Sequence, residues 1–297
     1  MKPNLRVLLS VTLLLLTLAF QTAAQSGVPS APGAASAPAP TGTIAFVARV
    51  APTDGMPEPV RALTFYLLRK SLADLRSELD SQDPAPKMDV FIDGLSVTPE
   101  LKAWMKKHHT VELAGSGFVK AITPDDVLVV PEFYAAYVTR NSGYPGSGFP
   151  KPKYTDRDKQ QNPEKYKLLV EEFRQAVYNY CKSNPDSIQG MEAEMTDLNP
   201  SQAWEHLKSE QRRRVENKTL RLAQTDYLVA QTDSDLEGRG SMVNLPPGTY
   251  WLSTLNIPAQ EGDVRVRWDA QVTVRAGETT HVVLNNLNAA AIQGPEQ

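Results

Sequence analysis

One cysteine, Cys181, stands among 297 residues, so the chain can form no intramolecular disulfide. Charge of either sign is also scarce in excess: 31 Lys and Arg face 34 Asp and Glu, for a formal net charge of −3. That balance gives no global field for nucleic acid or an anionic membrane. The longest uncharged apolar run, Val7 to Phe20, is shorter than the about 20 residues that a membrane-spanning helix needs, which excludes a polytopic membrane protein. Catalytic signatures are missing too. No His-Glu-x-x-His, Gly-x-Ser-x-Gly or Gly-x-x-x-x-Gly-Lys occurs. With 41% hydrophobic and 22% charged residues, what remains is an ordinary globular composition, neither collagen-like nor disordered.

Lys2 and Arg6 precede the apolar run, and Thr22-Ala23-Ala24 follows it with small residues. This is the layout of a secretory signal peptide over residues 1–24, with a retained N-terminal anchor as the alternative. No cysteine stands at the cleavage point to accept a lipid. A secreted eukaryotic domain more often carries disulfides, so the expectation is a bacterial exported protein, periplasmic or extracellular. Residues 25–41 are mostly Ala, Pro, Ser and Gly, with Val28 the largest apolar side chain, which reads as a flexible tether.

From Gly42 the pattern becomes strand-like, at Thr43–Val50 and Leu63–Leu68, with Pro/Gly turns between. The same style returns near the C-terminus at 226–232, 240–245, 249–255, 264–274 and 279–284. In Val264-Arg265-Val266-Arg267-Trp268 and Gln271-Val272-Thr273-Val274 apolar and polar residues alternate, as in an antiparallel strand with one wet face. The middle reads as helical. Residues 99–109 and 131–140 form short helices, and 163–183 form a long one, capped by Asn162, with Tyr166, Phe173, Val177 and Tyr180 on one face. A second long helix spans 200–224, capped by Asn199, with Trp204, Leu207, Val215 and Leu222 inward. Cys181, in the first of these long helices, reads as a buried small hydrophobe rather than a reactive thiol.

Ser234-Asp235-Leu236-Glu237-Gly238, followed by Val243-Asn244-Leu245-Pro246-Pro247-Gly248-Thr249-Tyr250-Trp251-Leu252, resembles the signature of carboxypeptidase regulatory-like domains. Ala276-Gly277-Glu278 before Val282-Val283-Leu284 is similar to that family's closing hairpin, and Gly42-Thr43-Ile44 with Pro59 to Phe65 to its first two strands. The resemblance implies a small transthyretin-like (prealbumin-like) β-sandwich. Two departures stand out. Gly240 occupies a position where the family usually has an aromatic, and the family's adjacent halves are here separated by residues 76–225. The fold expected is therefore α+β: a discontinuous antiparallel sandwich from residues 42–75 and 226–290, with 76–225 as a helical insertion. The alternative is a helical domain followed by an independent C-terminal sandwich.

Several constellations invite a chemical reading. Asp233-x-Asp235-x-Glu237-Gly238 imitates the start of a calcium loop, but Asn244 stands where the bidentate Glu that closes such a loop of about 12 residues belongs. His109-x-x-Glu112 with His206 is similar in spacing to the ligands of the zinc carboxypeptidases that carry such sandwiches, yet the insertion is too short for that catalytic domain. Arg212-Arg213-Arg214 is interleaved with Glu205, Glu210 and Glu216, as on a solvated helix face. No catalytic residue, metal ligand or cofactor is assigned.

The remaining lead is the Gly/Pro-rich loop 141–158. Tyr144, Phe149 and Tyr154, with Lys151 and Lys153 between them, suit sugar stacking or partner recognition, because a stiff loop presents rings at low entropic cost. They suit pinning of the loop onto the helices equally. The function expected is a non-catalytic binding or assembly module of the cell envelope, recognising a glycan or a protein partner and no nucleic acid. The alternative is a secreted hydrolase whose acid and base come from carboxylates such as Asp125, Asp126 or Glu132.

Overall fold

The spacing of Ile44, Phe46, Ala48 and Val50 buries one face of a single long strand, and that strand organises the β-rich part of the molecule. The computed structural model describes residues 40–143 and 146–290. The expected signal peptide, nearly all of the tether and Tyr144 lie outside the described residues. In chain order β1 (Gly42–Val50), β2 (Glu58–Pro59) and β3 (Thr64–Leu68) lead into α1 (Leu72–Gln82), α2 (Met88–Asp93), α3 (Pro99–Lys107) and α4 (Gly115–Ala121). Then come α5 (Pro124–Val129), α6 (Pro131–Ser142), α7 (Asp156–Gln161), α8 (Pro163–Ser183), two 3₁₀ turns over Pro185–Ile188 and Met191–Leu198, and α9 (Ser201–Gln224). Strands β4 (Leu228–Asp233), β5 (Arg239–Leu245), β6 (Gly248–Ser253), β7 (Ala259–Glu261), β8 (Val264–Val266), β9 (Asp269–Val274) and β10 (Thr279–Leu284) close the chain.

Strands from the two ends pair with one another. β1 lies between β5, antiparallel, and β10, parallel, with β2 on its final residues. A second sheet has the order β4-β3-β6-β9, and β7 with β8 forms a separate hairpin. The inner faces of the two main sheets share one core in which Phe46 packs on Phe65 at 4.5 Å between ring centroids and Phe65 on Trp268 at 6.0 Å. Fully buried Phe65, Leu67 and Leu252 each contribute about 1.5–3 kcal/mol of apolar transfer free energy. The fold is α+β, with antiparallel pairing throughout except between β1 and β10.

Gly240 is explained by its neighbour. A Cβ there would lie 2.3 Å from the Phe46 ring, so Phe46 in β1 fills the inward place that an aromatic in β5 would take. Gly238, at φ 76°, closes the turn in which the Asp235 carboxylate accepts from the N–H groups of Glu237 and Arg239. The expected continuous strand 264–274 is broken at Trp268. The indole turns fully into the core and donates to the Asn285 carbonyl at 3.0 Å, leaving β8 to pair with β7 and β9 with β6.

The helices α2–α6 and α8 and the two 3₁₀ turns, with Trp204 at the start of α9, enclose a second core around Trp104, Phe118, Phe133 and Tyr137. Asn162 caps α8 as its sequence suggests, accepting from the Lys165 N–H at 3.1 Å. Before α9, Asn199 uses its side-chain oxygen twice, for the N–H groups of Ser201 and Leu113. Leu207, expected inward, is exposed; the buried stripe runs instead through Trp204, Gln211, Val215, Thr219 and Ala223. Gln211 is held there by donating to the Asp83 carbonyl. A third, small cluster of Leu68, Leu75, Ala223 and Leu255 joins α1 and the last turns of α9 to the β4-β3-β6-β9 sheet.

Candidate functional site

In the loop 141–158, Phe149 and Tyr154 turn inward, the pinning onto the helices that the sequence left open beside presentation of the rings. Phe149 is 8% exposed, with its ring edge-on to Tyr137 and Tyr180, and the Tyr180 hydroxyl donates to the Ser147 carbonyl at 3.1 Å. Tyr154 is half-buried between Tyr166 and Phe173, and that burial raises its hydroxyl pKa. The physical reason is area: a large ring gains more from burial against neighbouring rings than an isolated loop can offset. Lys151 and Lys153 remain exposed.

The carboxylates singled out for chemistry are engaged locally. Asp126 caps α5 by accepting from the N–H and hydroxyl of Thr123, Asp125 accepts from the Tyr178 hydroxyl at 2.9 Å, and Glu132 accepts from the N–H and hydroxyl of Thr98. Asp233 accepts from the Thr64 hydroxyl at 2.6 Å, while Asp235 builds the turn already described. Glu112 accepts from the Asn199 amide at 2.6 Å, and His206 faces Glu210 on its own helix. Among the described residues, no three His, Cys, Asp or Glu side chains come together to hold a metal ion. Cys181 is buried, which pushes its thiol pKa up.

The site that sequence reasoning missed lies where the helices meet the sheets. A cleft of about 550 Å³ opens between the α1/α9 pair on one side and the segment around Leu255 and Trp268 on the other. Its volume falls in the range of small-molecule pockets, about 300–1,000 Å³. Leu72, Leu220 and Leu255 give it an apolar floor. Arg76, Asp80, Glu216 and Arg267 give it charged walls, and Ser77 and Ser81 add hydroxyls. Arg76 and Glu216 form an ion pair across α1 and α9. The opposite wall is stiffened by a reciprocal pair: the Thr254 N–H donates to the Trp268 carbonyl at 3.0 Å, and the Trp268 N–H to the Thr254 hydroxyl at 3.2 Å.

Asp269, at the first position of β9, lies at the seam. One carboxylate oxygen, Oδ2, accepts from the Leu72 N–H at 2.8 Å, so a residue of the sheet holds the N-terminus of α1. The other oxygen, Oδ1, is sealed from solvent. Burial, outweighing the N–H groups of α1 and the nearby Ser253, pushes the carboxyl pKa up to about 6. No local motif announces this site: its members come from residues 72–81, 216–220, 255, 267–269 and 290, joined only by the fold.

No family model matches the chain, and no curated protein matches it. Among solved structures, it is similar to a putative carbohydrate binding protein from Pseudomonas aeruginosa, at 11% identity and a TM-score of 0.24, over 87% of this chain and 99% of that one. It is also similar to the pilus backbone protein of Streptococcus pneumoniae, at 15% identity and a TM-score of 0.23, over 83% of this chain and 41% of that one. The chain thus spans less than half the length of that pilus protein. Among the described residues, no helix is long and apolar enough to cross a membrane.

Proposed function

We propose that the protein is an exported, non-catalytic binding module of the bacterial cell envelope: a transthyretin-like sandwich interrupted by a helical insertion, which takes a glycan in the cleft between the two. The cleft is the observation that carries this reading. Guanidinium, carboxylate and hydroxyl groups rim an apolar floor, which matches a sugar ring bearing hydroxyls at its edge and C–H groups on its face. The leader-like N-terminal sequence supports export. A second reading, a protein partner, is favoured by the outer face of β5-β1-β10, where Val243 and Val283 are about 60% exposed.

The test is co-sedimentation of the chain from Gln25 onward with peptidoglycan and a panel of insoluble polysaccharides. Saturable binding weakened at least tenfold by Arg267→Ala and by Asp80→Ala, and unchanged by Lys151→Ala with Lys153→Ala, is the expected result. Loss in the lysine variant alone would move the site to the loop 141–158. No saturable binding to any glycan would overturn the reading in favour of a protein partner.

A further inference from the structure

The charged groups of the cleft divide into those the fold already engages and those it leaves open. Arg76 pairs with Glu216, and the Asp269 carboxylate accepts from the Leu72 N–H. Asp80 on α1 and Arg267 on the segment before β9 are what remain. Asp80 is exposed, so water solvates it. Arg267 is half-buried, and among the described residues no hydrogen bond or ion pair reaches its guanidinium.

The neighbours of Arg267 fix where it points. Val266 and Trp268 are 6% and 0% exposed and turn into the core of the sandwich, so alternation sends Arg267 to the other side, into the cleft. Its backbone is pinned, because the Arg267 carbonyl accepts from the Ala290 N–H at 2.7 Å. The wall across from it is a stripe of α1. Arg76, Ser77, Asp80 and Ser81 recur at helical spacing on the side away from buried Leu75 and Leu79.

A guanidinium offers five N–H donors in a planar fork and cannot shed its proton, so a partly desolvated one without a partner is unfavourable until an anion arrives. A carboxylate meets that fork with two parallel hydrogen bonds. The neighbouring acids narrow the choice further. One open positive charge near Asp80 and Glu216 suits a monoanion, whereas a phosphate, with close to two negative charges, would meet repulsion that a single arginine does not offset.

We propose that the cleft selects acidic sugars: a hexuronic acid unit whose carboxylate is gripped by Arg267, whose hydroxyls meet Ser77, Asp80 and Ser81 on α1, and whose C–H face lies on Leu72, Leu220 and Leu255. The proposal deepens the reading of the cleft as a glycan site and rests on it.

The experiment is isothermal titration calorimetry of the full-length chain with matched trisaccharides that differ only at carbon 6 of each ring. Galacturonate is set against galactose, glucuronate against glucose and mannuronate against mannose. In at least one pair the acid should bind about tenfold or more tighter than its neutral partner, the ordinary contribution of a hydrogen bond to a charged group. Arg267→Gln should bring the two members level, and Lys151→Ala with Lys153→Ala should leave the preference unchanged. No preference in any pair, a preference that survives Arg267→Gln, or tighter binding of a sulfated than of a carboxylated trisaccharide overturns the proposal. Should Arg267→Gln fail to fold, Arg267→Lys takes its place: a point charge cannot make both parallel bonds, so the preference should shrink, and one retained in full overturns the proposal. A chain that sediments with an insoluble polysaccharide but shows no preference here loses the acid selectivity and keeps the glycan site. A chain that binds no glycan in either assay loses both.

Discussion

Gly240 and Phe46 show how a departure at one residue is absorbed by another. The inward position on β5 is vacant, and the Phe46 ring from β1 occupies it so closely that even a methyl group would collide. Gly240→Ala should therefore lower unfolding free energy by about 1–3 kcal/mol in a urea titration. Combined with Phe46→Leu it should cost less than the two single changes added together, because the smaller side chain removes the collision. Cys181 makes a second residue-scale prediction. Its thiol is buried, and burial holds the pKa above the ordinary value, so in the native protein it should resist a thiol-specific reagent and react once denaturant unfolds the chain. Rapid labelling of the folded protein would contradict that burial.

At the scale of elements, the legible parts were those with a strong local signal. Alternation in Val272-Thr273-Val274 fixed which face of β9 is inward, the Leu245-Pro246-Pro247-Gly248 turn marked where the chain leaves β5 in one sheet for β6 in the other, and Asn162-Pro163 marked the start of α8. α1 was hidden because LADLRSELDSQ buries only Leu75 and Leu79, with Asp74, Arg76, Glu78 and Asp80 between and around them. The cleft was hidden for a different reason. Arg76, Glu216 and Asp269 are brought together by the pairing of α1 with α9 and of β3 with its neighbours, and no spacing within any one segment encodes that. The inward rings of Phe149 and Tyr154 were ambiguous from the start, since aromatics in a Gly/Pro-rich loop read equally as contacts and as anchors. Asn199 offers a test of how the helical elements are joined. Asn199→Ala removes one acceptor from both Ser201 and Leu113, and should destabilise the protein by about 1–2 kcal/mol in the same titration.

For the whole molecule, the pairing of chain ends sets what can fold. β1 is central in one sheet and β3 in the other, so residues 226–290 by themselves would lack an inner strand in each. Produced alone, that segment should show no cooperative thermal transition by far-UV circular dichroism, whereas the chain from residue 40 onward should show one. A sharp transition in the fragment would mean that the C-terminal strands suffice for a sandwich.

The side-by-side, parallel arrangement of β1 and β10 also decides how the protein would answer a mechanical load. From Thr43 beside Thr279 to Ala48 beside Leu284, the two strands run in the same direction. Tension entering at the start of β1 and leaving at the end of β10 pulls them oppositely along their common axis, in shear, so the rungs of the ladder resist together rather than opening one after another. The force path crosses from β1 directly to β10. The helices between β3 and β4 hang outside that path.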